Sequence, residues 1–167
     1  GTWDAESAKA SAEAYVAVNN AVIDYGHELG LKVYTHNCRG NYASRHASNG
    51  SYEKIAHYFL KNQRYDRFYL EWDDERAGSI DALEAFKDND QVEVVLGLLS
   101  SKTADLDDEE RALNGLEEAS KYVSKDRLYL SHQCGFASCD GGNELTHENQ
   151  WDKIKQGQAI AFKYFGE

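Results

Sequence analysis

Hydrophobic positions recur along this chain with two different periods. Four short runs rich in Val, Leu and Tyr read as strands: Leu31–Cys38 (LKVYTHNC), Arg67–Trp72 (RFYLEW), Val92–Leu99 (VEVVLGLL) and Arg127–Cys134 (RLYLSHQC). Between them the apolar spacing becomes helical. Tyr52, Ile55, Ala56, Phe59 and Leu60 form one stripe, and Ala112, Leu116, Ala119 and Val123 another. Trp151, Ile154, Ala161 and Phe165 form a third, and Ile80, Leu83 and Phe86 predict a helix of about two turns. Ala12, Tyr15, Val16, Val22 and Ile23 mark a long helix ahead of the first strand, which Gly26 and Gly30 terminate. Asp107 with Glu110, and Thr146 ahead of Glu148, read as helix starts.

The order is therefore α-βα-βα-βα-βα, which implies right-handed crossovers and a parallel sheet. No linker or low-complexity tract interrupts it, so residues 1–167 read as a single α/β domain. Four βα units are half of an eight-stranded barrel or most of a small doubly wound sheet, and the strand ends decide between them.

Charge narrows the partners. Against 29 acidic residues stand 18 basic ones, a net charge of −11, which argues against nucleic acid or an anionic membrane surface as partner. No apolar run approaches the roughly 18 residues of a membrane span. Three cysteines, an odd number, do not make a secreted disulfide framework, so a reducing cytoplasm is the expected compartment. The chain has neither Pro nor Met. Lacking a start residue, it is expected to be a piece of a longer protein with Gly1 at a cut or processing boundary.

The metal-binding chemistry lies where strands finish. His36 and Cys38 close the first strand on one face, Glu71 ends the second and Cys134 the fourth. The carboxyl ends of parallel strands form the working surface of α/β proteins. One imidazole, two thiolates and a carboxylate suit Zn²⁺, and soft sulfur favours it over Mg²⁺ or Ca²⁺. Each residue alone has a plainer reading, Cys as a small apolar filler and His as a hydrogen-bonded loop residue. A rival set also exists: SHQC mirrors THNC, so His132 in place of Glu71 would give a closed His₂Cys₂ site. Periodicity does not separate the two.

THNCRGN, YLEWD, LGLLSSK and LSHQCGFAS, in this order and at these intervals, resemble the catalytic barrel of cobalamin-independent methionine synthases. Shorter bacterial homologues with an H-x-C-R-G-N motif are more similar still, and the resemblance runs from about Leu31 to the C-terminus. It implies a (β/α)₈ barrel of the uroporphyrinogen decarboxylase type, of which this chain is the C-terminal portion. Carried over by position, it implies His36, Cys38, Glu71 and Cys134 as zinc ligands. Relatives often have Pro where His132 stands, which counts against His132 as a ligand. The implied reaction moves a methyl group from 5-methyltetrahydropteroyl-polyglutamate to the thiol of homocysteine, giving methionine.

Two departures qualify that implication. In the family an Asp-x-His-Ser motif follows the equivalent third strand, and its His serves in proton delivery. Here the stretch is Leu99-Ser100-Ser101-Lys102, which makes Lys102 the candidate catalytic group and Ser100 and Ser101 candidates for substrate binding. The competing reading of Lys102 is a solvated loop residue. The second departure is length, because a complete barrel needs about 250 residues. Four parallel strands alone leave two edges open, so a missing N-terminal barrel half or a second copy of the chain is the expected partner.

Arg39 is a candidate to grip a carboxylate or phosphate, with Gly40 allowing close backbone approach and Asn41 beside it as a further substrate contact; a plain turn is the competing reading. Asp73 is a candidate to orient a ligand, in what is otherwise an acidic loop. Cys139 reads as a spare thiol, and His27, His46, His57 and His147 receive no role. The functional alternatives are a zinc-dependent alkyl or thiol transferase with another donor, and an inactive zinc-binding fragment that self-assembles.

Overall fold

Four strands run side by side in sequence order, all parallel, each followed by helical segments. The computed structural model describes residues 5–166; Gly1 lies outside them. Helix α1 (Ala5–Glu28) leads into β1 (Tyr34–Asn37), and 3₁₀ and π-helical turns at Tyr52–Lys54 and Ala56–Lys61 lead to β2 (Arg67–Glu71). Two further 3₁₀ turns, Glu75–Ala77 and Ile80–Phe86, precede β3 (Glu93–Leu99). Helix α2 (Glu109–Ala119), β4 (Leu128–His132) and α3 (His147–Phe165) complete the chain. No helix among the described residues is long and apolar enough to cross a membrane.

The strands alternate between two unlike faces. Phe68, Leu70, Val94, Leu96, Leu98 and Leu128 are all buried and meet Leu83, Phe86, Leu116 and Ile160 from the helical layer. That layer holds the apolar core. The opposite face carries polar rows set by the register. Tyr34, Arg67 and Glu93 align at one end, His36, Tyr69 and Val95 in the middle, and Glu71 and Gly97 at the carboxyl end. Arg67 closes the first row: its Nε donates to Glu93 Oε2 at 2.6 Å, and its guanidinium lies 4.8 and 4.9 Å from the ring centroids of Tyr34 and Tyr129.

Several helical expectations shift for identifiable reasons. The stripe from Tyr52 to Leu60 is broken into 3₁₀ and π turns, which keep Tyr52 and Leu60 buried and turn Ile55 outward. Ile80–Phe86 is 3₁₀ throughout, capped by the Ser79 side chain on the Asp81 N–H. Helix α2 is capped by Asp108, not Asp107. Asp107 instead accepts from the Ser100 N–H (2.8 Å) and from Lys153 Nζ (3.0 Å), tying the end of β3 to α3. That ion pair also changes the buried face of α3: Lys153 and Ile160 are fully buried, whereas Trp151 is 59% exposed. Thr146 caps α3 as expected, in a reciprocal pair with Asn149.

Asp66 joins the starts of three strands. Its carboxylate accepts from the Val33 N–H (2.6 Å) and faces His27 Nε2 (2.9 Å), while its backbone bonds Val33 and Glu93. Burial pushes this carboxyl up, but the Val33 N–H and His27 outweigh it and hold it below the usual range. A depressed carboxyl stabilises the fold above the unfolded value of about 3.9 and loses that contribution as pH falls through the folded value. Asp66→Asn is therefore expected to cost about 1 kcal/mol at neutral pH. The difference from the unsubstituted chain should shrink as pH falls below about 4; urea unfolding at several pH values measures it.

Candidate metal centre

The carboxyl end of the polar face gathers donors from three strands. His36 lies in β1, and Cys38 follows two residues later on the same side. Glu71 is the last residue of β2, and Cys134 lies two residues past β4. Gly97 makes the last arrangement possible. It pairs with Glu71 in register, and a Cβ on it would stand 2.6 Å from the Gln133 Cα and 3.0 Å from the Leu70 carbonyl oxygen. With no side chain there, and with the β3–β4 register shifting between Gly97 and Leu99, the chain after His132 folds over the sheet beside Glu71. Gly40 does similar work in the loop after β1: its φ is +103°, and a Cβ would collide with the Ala47 backbone.

The donor atoms of His36, Cys38, Glu71 and Cys134 all lie within 4.8 Å of one another. Glu71 is 1% exposed, and among the described residues neither carboxylate oxygen has a hydrogen-bond partner. His36 Nε2 stands 3.6 Å away, too far for a hydrogen bond but close enough for its charge to matter. Glu71 accordingly raises the His36 imidazole above its usual range, against burial, with Cys134 adding to the effect. Burial raises the Cys38 thiol, aided by the negative charge of its neighbours and opposed by the Gly40 N–H. Burial also acts upward on Cys134, but hydrogen bonds from Ser138, the Gly135 N–H and His36 prevail and hold that thiol below its usual range.

A buried carboxylate without hydrogen bonds is costly unless a cation sits against it. The donor set fits a divalent ion of the zinc type: one nitrogen, two sulfurs and one oxygen, four in number, from separate segments. A cavity of about 400 Å³ opens beside the donors, bounded by His36, Tyr69, Gln133 and Cys134.

His132, the rival ligand, is not in this group. Its ring lies 4.8 Å from that of Phe136 and against Gly157 of α3, with Nε2 buried and unpartnered. Burial lowers its pKa. Lys102 is not a solvated loop residue. Its Nζ meets Asp73 Oδ2 at 2.5 Å, and the two side chains are 8% and 7% exposed.

The candidate substrate contacts are occupied structurally. Arg39 is buried, its Nη2 donating to the carbonyls of Gly50 and Arg76 and its guanidinium 5.4 Å from the Tyr52 ring centroid. Asn41 donates to the Gly135 carbonyl (2.6 Å) and to Ser138 Oγ (2.7 Å). Ser101 is fully buried, donating to the Gly135 carbonyl and bonded twice to Gln133. The Ser100 hydroxyl accepts from the Lys102 N–H at 3.2 Å. Asn41 and Ser101 thereby fix the loop that carries Cys134. Ser138, whose Oγ is 3.4 Å from Cys134 Sγ, and Asn143, which bonds Asn41, Ser101 and Ser44, are additions from the structure. Polar residues in a Gly-rich loop give no pattern that would single them out.

No protein-family model matches the chain. Two curated proteins of Bacillus subtilis (strain 168) are similar to it: the uncharacterized protein YxjH, 41% identical over 144 residues, and the uncharacterized protein YxjG, 40% identical over 145 residues. These alignments cover 86% and 87% of this chain but only 37% and 38% of those proteins, so the chain spans less than two-fifths of their length. Its structural neighbours are B12-independent methionine synthase structures. One, from Listeria monocytogenes and provisionally named a vitamin-B12 independent methionine synthase, has a TM-score of 0.68 at 29% identity, over 93% of this chain and 42% of its own. The other, a B12-independent methionine synthase from Shewanella sp. W3-18-1 in complex with selenomethionine, has a TM-score of 0.66 at 21% identity over 87% and 41%; that likeness is one of fold. The four-stranded parallel sheet with its helices is thus a fragment of a methionine-synthase-type barrel.

Glu71→Gln keeps the size of the side chain and removes its charge. It is expected to leave the chelator-treated protein within about 1 kcal/mol of the unsubstituted one, since the buried carboxylate stabilises little by itself. Zinc should raise the melting temperature of the unsubstituted chain and shift that of Glu71→Gln far less. Thermal melts with zinc and with chelator read both effects.

Proposed function

We propose that this chain is the zinc-bearing, C-terminal portion of a methyltransferase of the cobalamin-independent methionine synthase family, a single partial-barrel domain over residues 1–167. In this reading His36, Cys38, Glu71 and Cys134 hold Zn²⁺, and the product is methionine made from homocysteine and 5-methyltetrahydropteroyl-polyglutamate. The observation that carries it is the unpartnered Glu71 carboxylate, buried among one imidazole and two thiols at the carboxyl ends of parallel strands. The Listeria neighbour supports the same class.

Bound there, zinc supplies a Lewis-acid centre at which a thiol gives up its proton at neutral pH. The chain's own residues supply position and charge. The buried network through Asn41, Ser101 and Gln133 holds the Cys134 loop against the sheet. The open cavity bounded by Tyr69 and Gln133 offers a place for a small thiol beside the donors. Lys102, its Nζ held on Asp73, which lies two residues after the Glu71 donor, is the group assigned to protonating the departing amine. Arg39, Asn41, Ser100 and Ser101 act in this reading by shaping the rim on which the substrates rest.

The remainder of the barrel, from the same polypeptide or from a second copy of the chain, completes the substrate pocket. The compartment is the cytoplasm, and neither nucleic acid nor membrane is a partner. Lys102 in a place where the family has His favours a second reading, a zinc-dependent transferase with another methyl or alkyl donor.

Methionine formation from homocysteine and the methyl-folate, lost on chelation and restored by zinc, tests the proposal. Stoichiometric zinc without methionine from either this chain or its longer parent would reject the methionine reading. Lys102→Arg keeps a cation on Asp73 but does not readily release a proton. It is expected to retain zinc and lower turnover by about 10²-fold.

A further inference from the structure

The loop that carries Cys134 contains a chain of hydrogen bonds whose direction is fixed from one end. It starts at the Ser44 backbone N–H, which only donates, and which meets Asn143 Oδ1 at 3.0 Å. The Asn143 amide is thereby oriented, and its Nδ2 donates to the Ser101 carbonyl (2.9 Å) and to Asn41 Oδ1 (2.8 Å). Asn41 is oriented in turn, with Nδ2 donating to the Gly135 carbonyl (2.6 Å) and to Ser138 Oγ (2.7 Å). Ser138 accepts at that contact and keeps its single proton free; toward a Cys134 thiolate, which has no proton to give, the hydroxyl is the donor across the 3.4 Å to Sγ.

We propose that Ser138, oriented through Asn143 and Asn41, is a positioning residue whose hydroxyl proton occupies a lone pair of the Cys134 sulfur and so protects this ligand from being methylated in place of the substrate. The inference rests on the zinc and methyl-transfer reading above. A site that brings a methyl donor to a substrate thiolate also brings it near the protein's own thiolates. Methylation of Cys134 would form an S–C bond from a sulfur lone pair as the carbon's bond to its leaving group breaks. The product is a neutral thioether, a poor zinc ligand. A hydrogen bond to an anionic sulfur is of the stronger, charge-assisted kind, and the lone pair it engages is less available for attack. Cooperative polarisation along the oriented chain strengthens that last link.

The test uses iodomethane on the zinc-loaded chain, with methylated Cys134 and Cys38 quantified by peptide mass spectrometry; the new bond is S–CH₃ and iodide leaves. Ser138 is exposed, so truncating it removes no buried packing. Ser138→Ala is expected to speed methylation of Cys134 about tenfold, the equivalent of about 1.4 kcal/mol, without changing Cys38 or the zinc content. Ser138→Thr, which retains the hydroxyl, should behave like the unsubstituted chain. With cobalt in place of zinc, the sulfur-to-metal charge-transfer band should shift in Ser138→Ala and not in Ser138→Thr. Equal Cys134 rates in Ser138→Ala and the unsubstituted chain, with zinc retained, overturn this proposal alone; an unsubstituted chain that binds no zinc overturns the metal reading and this proposal with it.

Discussion

A carboxylate at the centre of the sheet's carboxyl end, with neither oxygen hydrogen-bonded, is the constraint on which the site is built. Left alone, such a group would carry the cost of its lost hydration uncompensated, or admit water. His36 offers partial compensation at 3.6 Å, and the imidazole is raised toward its charged form accordingly. Two thiols within the same few ångströms oppose a purely organic solution, because each would add negative charge on ionising. A divalent ion bound among the four donors, as we propose, would meet all of these demands at once. The surroundings then follow as means of holding four donors still: a missing side chain at Gly97, a positive φ at Gly40, and a buried amide and hydroxyl network under Cys134.

The alternation of strands and helices was readable because hydrophobic period reports burial geometry, and here the sheet buries one face on a helical layer. The start of β2 and the end of β3 were read correctly, and the other strand ends were overestimated by up to three residues because the apolar pattern continues into segments that bend off the sheet. Asp107 misled for an instructive reason. An acidic residue before a helix has the same appearance whether it caps that helix or anchors a distant lysine, and the Lys153 partner lies 46 residues away. The same pairing buried Lys153 in α3, so Trp151 at the start of the predicted stripe lies outward while Phe165 at its end still packs against the core.

At the site, the four donors were legible since His, Cys and Glu at strand ends are chemically conspicuous. Their mutual distance was not, because the register shift after Gly97 leaves no mark in local pattern. Arg39 and Asn41 were conspicuous too, yet both are spent on backbone carbonyls and loop contacts. Ser138 and Asn143 were invisible, being ordinary loop residues whose importance arises only from partners about 100 residues earlier in the chain. Lys102 lay between these cases, with its position evident and its ion pair to Asp73 not.

The contact at Gly97 bears on how this site can change over time. There the spacing between donors of the second and fourth strands is set by one main chain resting on another, a contact with no rotamers. Residues on the helix-facing side of the sheet can exchange volume among themselves, and α2 or α3 can tilt by small amounts, without resetting that spacing. Sequence drift in the core is thereby decoupled from the chemistry at the rim. The same contact makes position 97 intolerant: the smallest possible side chain there would force apart the two backbones whose closeness defines the site.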